Sequence, residues 1–332
     1  MVLGSVLMTG AAAAQNAGQA KSGRKVGAIF VFGQDEFWLN LHHFLYVLAR
    51  AQNKERDAAR TAVAGAPADQ EQGLAKLKPA EQAAWREAVN AYAQGLAKKD
   101  MVFDEPLPSI TAALAKAGNS RSLKAAAIDP EIVSVLQRAA PIYRKAWWPQ
   151  HLAANLAWEK MIRTPLKRHG EEILSFITKN YGMHWPAAGY PVHMSAYSNW
   201  AGAYSIVGNV LVVSSLAPDL TSNYGLETIF HEGMHQWDEG VQAALSAAAN
   251  RAARRVPGGL SHAMVFYTAG EAVRHAIPDH VPYADKYGIW NRGLASFKTP
   301  LDEIWKPYLD GKGTRDAALT ALLTRTGLPP KP

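Results

Sequence analysis

The sequence predicts an α+β fold, predominantly helical, in which a small β-sheet precedes a helix bearing the chain's most distinctive motif and a helical lobe stands beside them. Three observations predict it. Apolar residues recur at spacings of three and four early in the chain, as in Phe37, Trp38, Leu41, Phe44, Leu45 and Leu48. Two strand-like runs, 203–207 and 210–214, flank the turn pair Gly208-Asn209. Shortly after them, Leu226, Ile229, Phe230 and Met234 return to helical spacing. Residues 25–182 read as an N-terminal strand and helical lobe and residues 183–332 as the motif-bearing region, separate or continuous with the first. With 332 residues, 48% of them hydrophobic, the chain has ample material for a large core.

In chain order, residues 1–20 carry no charged side chain and combine the run Val2-Leu3-Gly4-Ser5-Val6-Leu7-Met8 with small residues at Ala11 to Ala14. This is the pattern of a secretory leader cleaved near Ala12-Ala13-Ala14, although the usual basic start is missing, and it predicts a periplasmic or secreted protein. The run is too short to span a bilayer and no later segment approaches the ~20 apolar residues required, so membrane insertion is not expected. Residues 25–32 read as a strand, and the stripe from Phe37 to Leu48 as a helix. His42 and His43 within it are chain neighbours, splayed by about 100° on a helix, and do not make a metal site together. Residues 54–80 are polar and Ala-rich, while segments near 81–98, 130–161 and 165–181 read as successive helices, the last stopped by Gly182. Trp147, Trp148, Trp158, Trp185 and Trp200 are expected in the core, with stacking on sugars in a cleft beside the helical lobe as the alternative.

Composition narrows the chemistry. Zero Cys excludes disulfides and thiolate metal sites, leaving His and carboxylates as the metal-binding side chains. A net charge of +7 is spread along the chain without any nucleic-acid motif, so no nucleic-acid partner is expected. The densest basic group, Arg251, Arg254 and Arg255, reads as a solvated helix face.

The motif is His231-Glu232-Gly233-Met234-His235, the H-E-x-x-H pattern of zinc sites. Residues i and i+4 of a helix project from one face about a turn apart, so both imidazoles can reach one Zn²⁺ while Glu232, off that line, is free to act as a base. Thr221 and Ser222 are the available N-caps. A third protein ligand must come from elsewhere. The metzincin extension needs Gly at 238 and His at 241, and the chain has Asp238 and Val241. Asp238 and Glu239 are too close along the helix to approach the ion from another side and read as outer or solvated groups. Residues 261–275 read as a second helix, starting at Ser261 after Gly258-Gly259 and ending before Pro278. Glu271, an acid in an apolar stretch beside Gly270, is the preferred third ligand, with His262 and His275 as alternatives and pairing with Arg274 as its plain surface role.

These residues resemble the zincin metallopeptidases, and among them the gluzincins, in which two motif His and a Glu on a later helix hold zinc. The string His231-Glu232-Gly233-Met234-His235-Gln236-Trp237 is similar to the corresponding segment of the aminopeptidase-N family. The resemblance covers residues 205 to 275 and identifies the superfamily without a particular family. It implies a zincin-like catalytic region and a zinc-dependent metallopeptidase acting on a peptide or protein substrate, Glu232 serving as general base. It also implies a strand before the motif helix whose edge pairs with an extended substrate, a role the 203–214 hairpin can fill as readily as it can be an ordinary core hairpin. Related enzymes often stabilise the oxyanion with a Tyr or His. Tyr267, one turn before Glu271, is the first choice, and His275, Tyr283 and Tyr287 are its rivals. Two other classes fit the motif: a zinc hydrolase acting on another cell-envelope amide, and a zinc-containing binding protein without turnover.

Overall fold

The computed structural model describes residues 28–58, 60–206 and 210–330. It is a predominantly helical α+β fold built around a small four-stranded mixed sheet. The proposed leader and the Gly208-Asn209 turn lie outside the described residues.

Strand β1 (Phe30–Phe32) leads into α1 (Phe37–Gln52), whose apolar stripe is buried as the spacing predicts. Its other side chains through Ala49, Asn40, His42 and His43 among them, are buried too, so that the helix is enclosed on all sides instead of on one face. Helices α2 (Ala66–Leu74), α3 (Pro79–Gln94), α4 (Leu107–Ala117) and α5 (Pro130–Ala146) complete the lobe before the long α6 (Trp148–Tyr181) returns the chain to the sheet. Strands β2 (Tyr190–Ser195), β3 (Ala203–Ile206) and β4 (Val210–Ser214) follow. Then come α7 (Ser222–Met234), α8 (Asp238–Arg251) and α9 (Leu260–Ala276), and a C-terminal group of α10 (Tyr283–Lys286), α11 (Ala295–Pro300), α12 (Lys306–Leu309) and α13 (Arg315–Thr326).

The helix boundaries between 130 and 181 differ from the sequence expectation. The break falls at Trp147 instead of near Pro165, and α6 runs through Pro165 for 34 residues. Pro149 stands in the first turn of α6, where its missing N–H costs nothing. Pro165 removes one mid-helix hydrogen bond, but α6 packs on both α7 and α9, and that burial outweighs the loss. Helix α2 falls within the 54–80 stretch that reads as polar and Ala-rich, α4 has no counterpart in the sequence reading, and α8 ends at Arg251, so that Arg254 and Arg255 lie beyond it and not on a helix face.

The sheet order is β1-β2-β4-β3. Strands β1, β2 and β4 are parallel, and β3 runs antiparallel to β4 with Ala203 opposite Val213 and Ile206 opposite Val210. Alternation along the strands divides the interior into two cores. Leu211, Val213 and Ala203 face the core formed with α6, α7, α9 and the C-terminal helices. Val212 and Tyr204 face the core of α1 to α5. The sheet is therefore a shared wall, with the helical lobe on one face and the motif helix on the other. Strand β1 and α6, both upstream of residue 182, contribute Phe30, Phe32, Ile173 and Ile177 to the motif-side core.

Candidate metal centre

Helix α7 carries the motif at its C-terminal end. Thr221 is its N-cap, extended at φ −106, without a side-chain capping bond. Leu226, Ile229, Phe230 and Met234 are fully buried, which fixes the helix's rotation and directs His231 and Glu232 along its other side. Regular helix ends at Met234, and His235 opens a single 3₁₀ turn, His235–Trp237. Gln236 Nε2 donates to the Gly233 carbonyl at 2.7 Å and Trp237 Nε1 to the His184 carbonyl at 3.1 Å, pinning the turn. Gly233 is required in this place, because a Cβ there would overlap the Trp185 ring.

The third imidazole comes from His262, in the first turn of α9, which packs against α7. The ring centroids of His231, His235 and His262 form a nearly equilateral triangle with sides of 5.0, 5.2 and 5.2 Å. One ligand atom from each lies within 4.8 Å of the others, so the three could hold a metal ion. The spacing suits a tetrahedral ion: ligands at about 2.0–2.1 Å stand about 3.3–3.4 Å apart, and His262 Nε2 is 3.3 Å from His231 Nε2. Two of the three protonation states suit one as well. Burial and the neighbouring imidazoles hold His231 well below its ordinary pKa, and burial lowers His262 to about 4, so both rings are neutral with lone pairs to offer. Phe266, one turn after His262, covers the His231 ring at 3.9 Å and the His262 ring at 4.7 Å. His262 is exposed and His231 buried, so the centre opens to solvent on the α9 side.

Glu232 is buried beside this triangle. Desolvation pushes its carboxyl above the usual range, and the His235 charge and the Ser205 hydroxyl offset only part of that. Ser205, on the edge strand β3, donates to the Glu232 carbonyl at 2.9 Å and so ties the edge of the sheet to the motif.

Of the residues singled out in the sequence, the structure brings together His231, Glu232, His235 and the alternative ligand His262, and leaves Glu271 and Tyr267 outside. Glu271 is nine residues beyond His262, about two and a half helical turns, which puts it on the opposite face of α9 some 13 Å further along the axis. There its carboxylate pairs with Arg274 at 2.5 and 2.6 Å and with Lys306 at 3.6 Å, the first being the local pairing open to it in the sequence. Tyr267 donates its hydroxyl to Asp302 at 2.7 Å, under the Lys298 ammonium at 5.1 Å from the ring. The rivals are engaged elsewhere too. His275 stacks on Phe176 beside Glu172, Tyr283 donates to Asp219 at 2.6 Å, and Tyr287 packs on Tyr224 and Tyr283. Gly270 makes room for Pro282 and Glu227.

Two residues escaped notice in the sequence. Glu227, one turn before His231, is fully buried against His280 at 2.6 Å and accepts from the Tyr283 N–H, fastening the segment after α9 to the motif helix. Ser205 stands in the sequence only as part of a strand, and nothing in its own vicinity marks it.

Comparison of the chain with protein-family models, with curated proteins and with solved structures found no match.

Proposed function

We propose that the protein is a zinc-dependent metallopeptidase in which His231, His235 and His262 hold the ion and Glu232 is the general base. The observation that carries the reading is the convergence of three imidazoles at tetrahedral spacing beside a buried carboxylate. A bound Zn²⁺ would act there as a Lewis acid toward the scissile carbonyl and lower the pKa of water toward neutrality. Glu232 takes the proton of the attacking water and returns it to the departing amine, and its raised pKa brings its basicity nearer to working pH. The third ligand thus departs from the gluzincin pattern, a His replacing the Glu.

Strand β3 supports a peptide as substrate. Among the described residues it pairs only with β4, leaving its outer edge able to take an extended chain, and Ser205 fastens that edge to Glu232. The uncharged start of the chain supports a periplasmic or secreted setting. No helix among the described residues is long and apolar enough to cross a membrane.

The test is cleavage of a peptide library by the purified protein, before and after chelation, beside Glu232→Gln. Expected are cleavage lost on chelation and restored by zinc, and a Glu232→Gln variant that keeps its zinc but is slowed by about 10²-fold or more. Undiminished cleavage by that variant would overturn the role of Glu232. Bound zinc without peptide cleavage would move the substrate to another class of amide.

A further inference from the structure

The three imidazoles are not supported alike on the side away from the centre. His231 Nδ1 is buried and has no hydrogen-bond partner among the described residues. Its ring is held by packing, chiefly under Phe266. His235 Nδ1 instead lies 3.1 and 3.0 Å from the two carboxylate oxygens of Asp238. Among the described residues no other acidic side chain bonds to any of the three rings.

Asp238 is well placed for this contact. It opens α8, where the helix dipole favours a negative charge. The 3₁₀ turn between it and His235 is anchored by Gln236 and Trp237, and the Trp237 ring stacks on Tyr181 at 5.8 Å. The i to i+3 separation is therefore set by the backbone, while the Asp238 side chain itself is exposed.

We infer that Asp238 is a positioning residue for the metal centre: its carboxylate accepts the Nδ1–H of His235, fixes that tautomer and ring angle, and leaves the Nε2 lone pair directed at the ion. This deepens the metal-site reading above and rests on it. A carboxylate has no proton to donate at neutral pH, so Nδ1 must carry the proton of this bond, which leaves Nε2 as the nitrogen available to an ion. Asp238 does not ligate: it meets the ring on the nitrogen that cannot at once carry this hydrogen bond and coordinate. Partners of this kind typically account for roughly 10- to 100-fold in metal affinity.

The test is zinc affinity by chelator competition for the wild type, Asp238→Ala, Asp238→Asn and Glu239→Ala. Glu239 is the exposed acid next along α8 and controls for charge at the helix start. Asp238→Ala is expected to weaken zinc by roughly 10- to 100-fold. Asp238→Asn, which keeps an acceptor without the charge, should fall between it and the wild type, and Glu239→Ala should match the wild type. Nitrogen NMR of the neutral His235 ring in the zinc-free protein should show Nδ1 protonated and Nε2 bare in the wild type and a mixture of tautomers in Asp238→Ala. Equal affinity of wild type and Asp238→Ala, or equal losses in Asp238→Ala and Glu239→Ala, would overturn the assignment while leaving the metal site standing. A wild type that binds no zinc would overturn the site itself and the assignment with it.

Discussion

Two groups of imidazoles, one in the helical lobe and one at the end of α7, both contain rings that burial keeps neutral, yet they meet different partners. In α1, His42 Nδ1 lies 2.9 Å from the Tyr92 hydroxyl and His43 Nε2 lies 2.6 Å from that of Tyr204. The two rings are 5.4 Å apart and serve different tyrosines, in keeping with their splay on the helix. Burial lowers His42 to about 3 and His43 well below its ordinary value. At the motif, burial has the same effect on His231 and His262, but their nitrogens face each other and His235 across an interval that suits an ion. Desolvation alone therefore does not mark a metal site. Convergence of lone pairs does.

The sharpest way to break this contrast is to remove one imidazole from each group. His262→Ala should abolish stoichiometric zinc and the thermal stabilisation that zinc confers, whereas His43→Ala should keep both and lower the stability of the fold by about 2–4 kcal/mol, since it empties a buried site and leaves the Tyr204 hydroxyl with only its longer bond to Thr111. Zinc titration followed by calorimetry reads both. Loss of zinc from His43→Ala alone would reverse the assignment of the two groups.

A second test concerns acid. The folded-state pKa of His42 lies below its unfolded value, so between pH 6.5 and about 3 the unfolded chain takes up a proton that the folded chain refuses. Each imidazole of this kind costs stability at about 1.4 kcal/mol per pH unit as pH falls through that window. Zinc-free protein should show this slope in denaturant titrations, and replacing His42 by Gln should reduce it. A slope unchanged by that replacement would show that His42 is not held neutral.

Smaller effects come from packing around the motif. Gly233→Ala should destabilise by about 1–3 kcal/mol, because the added carbon must displace the Trp185 ring. Tyr204→Phe should cost about 1–2 kcal/mol by unpairing His43, leaving zinc affinity unchanged. Urea midpoints resolve both, and a neutral Gly233→Ala would mean that the motif helix is not pressed against Trp185.

The sequence carried the parts of this arrangement that are local. The spacing of His231, Glu232 and His235 is written in the chain, as are the stripe of α1 and the two strands of the 203–214 hairpin. The third ligand was not legible in the same way. Residues 261–275 read as a helix, and α9 spans Leu260–Ala276, but a helix offers both His262 and Glu271, and only packing says which face meets α7. Aromatics do not decide it, since Phe266 stands one turn from His262 and Tyr267 one turn from Glu271. Chemistry favoured the acid, whose charge in an apolar stretch demanded a partner. Arg274 and Lys306 are that partner, and Lys306 lies too far along the chain to be foreseen. The break at Trp147 was hidden for a similar reason, since whether a helix survives Pro165 depends on what it packs against.

The account is tested most directly by X-ray absorption at the zinc edge of the loaded protein, wild type beside Glu271→Ala. Scattering from three imidazoles, the same in both proteins, is the expected result. Two imidazoles and a carboxylate in the wild type, with the carboxylate contribution lost in Glu271→Ala, would return the third position to Glu271 and contradict the centre described here.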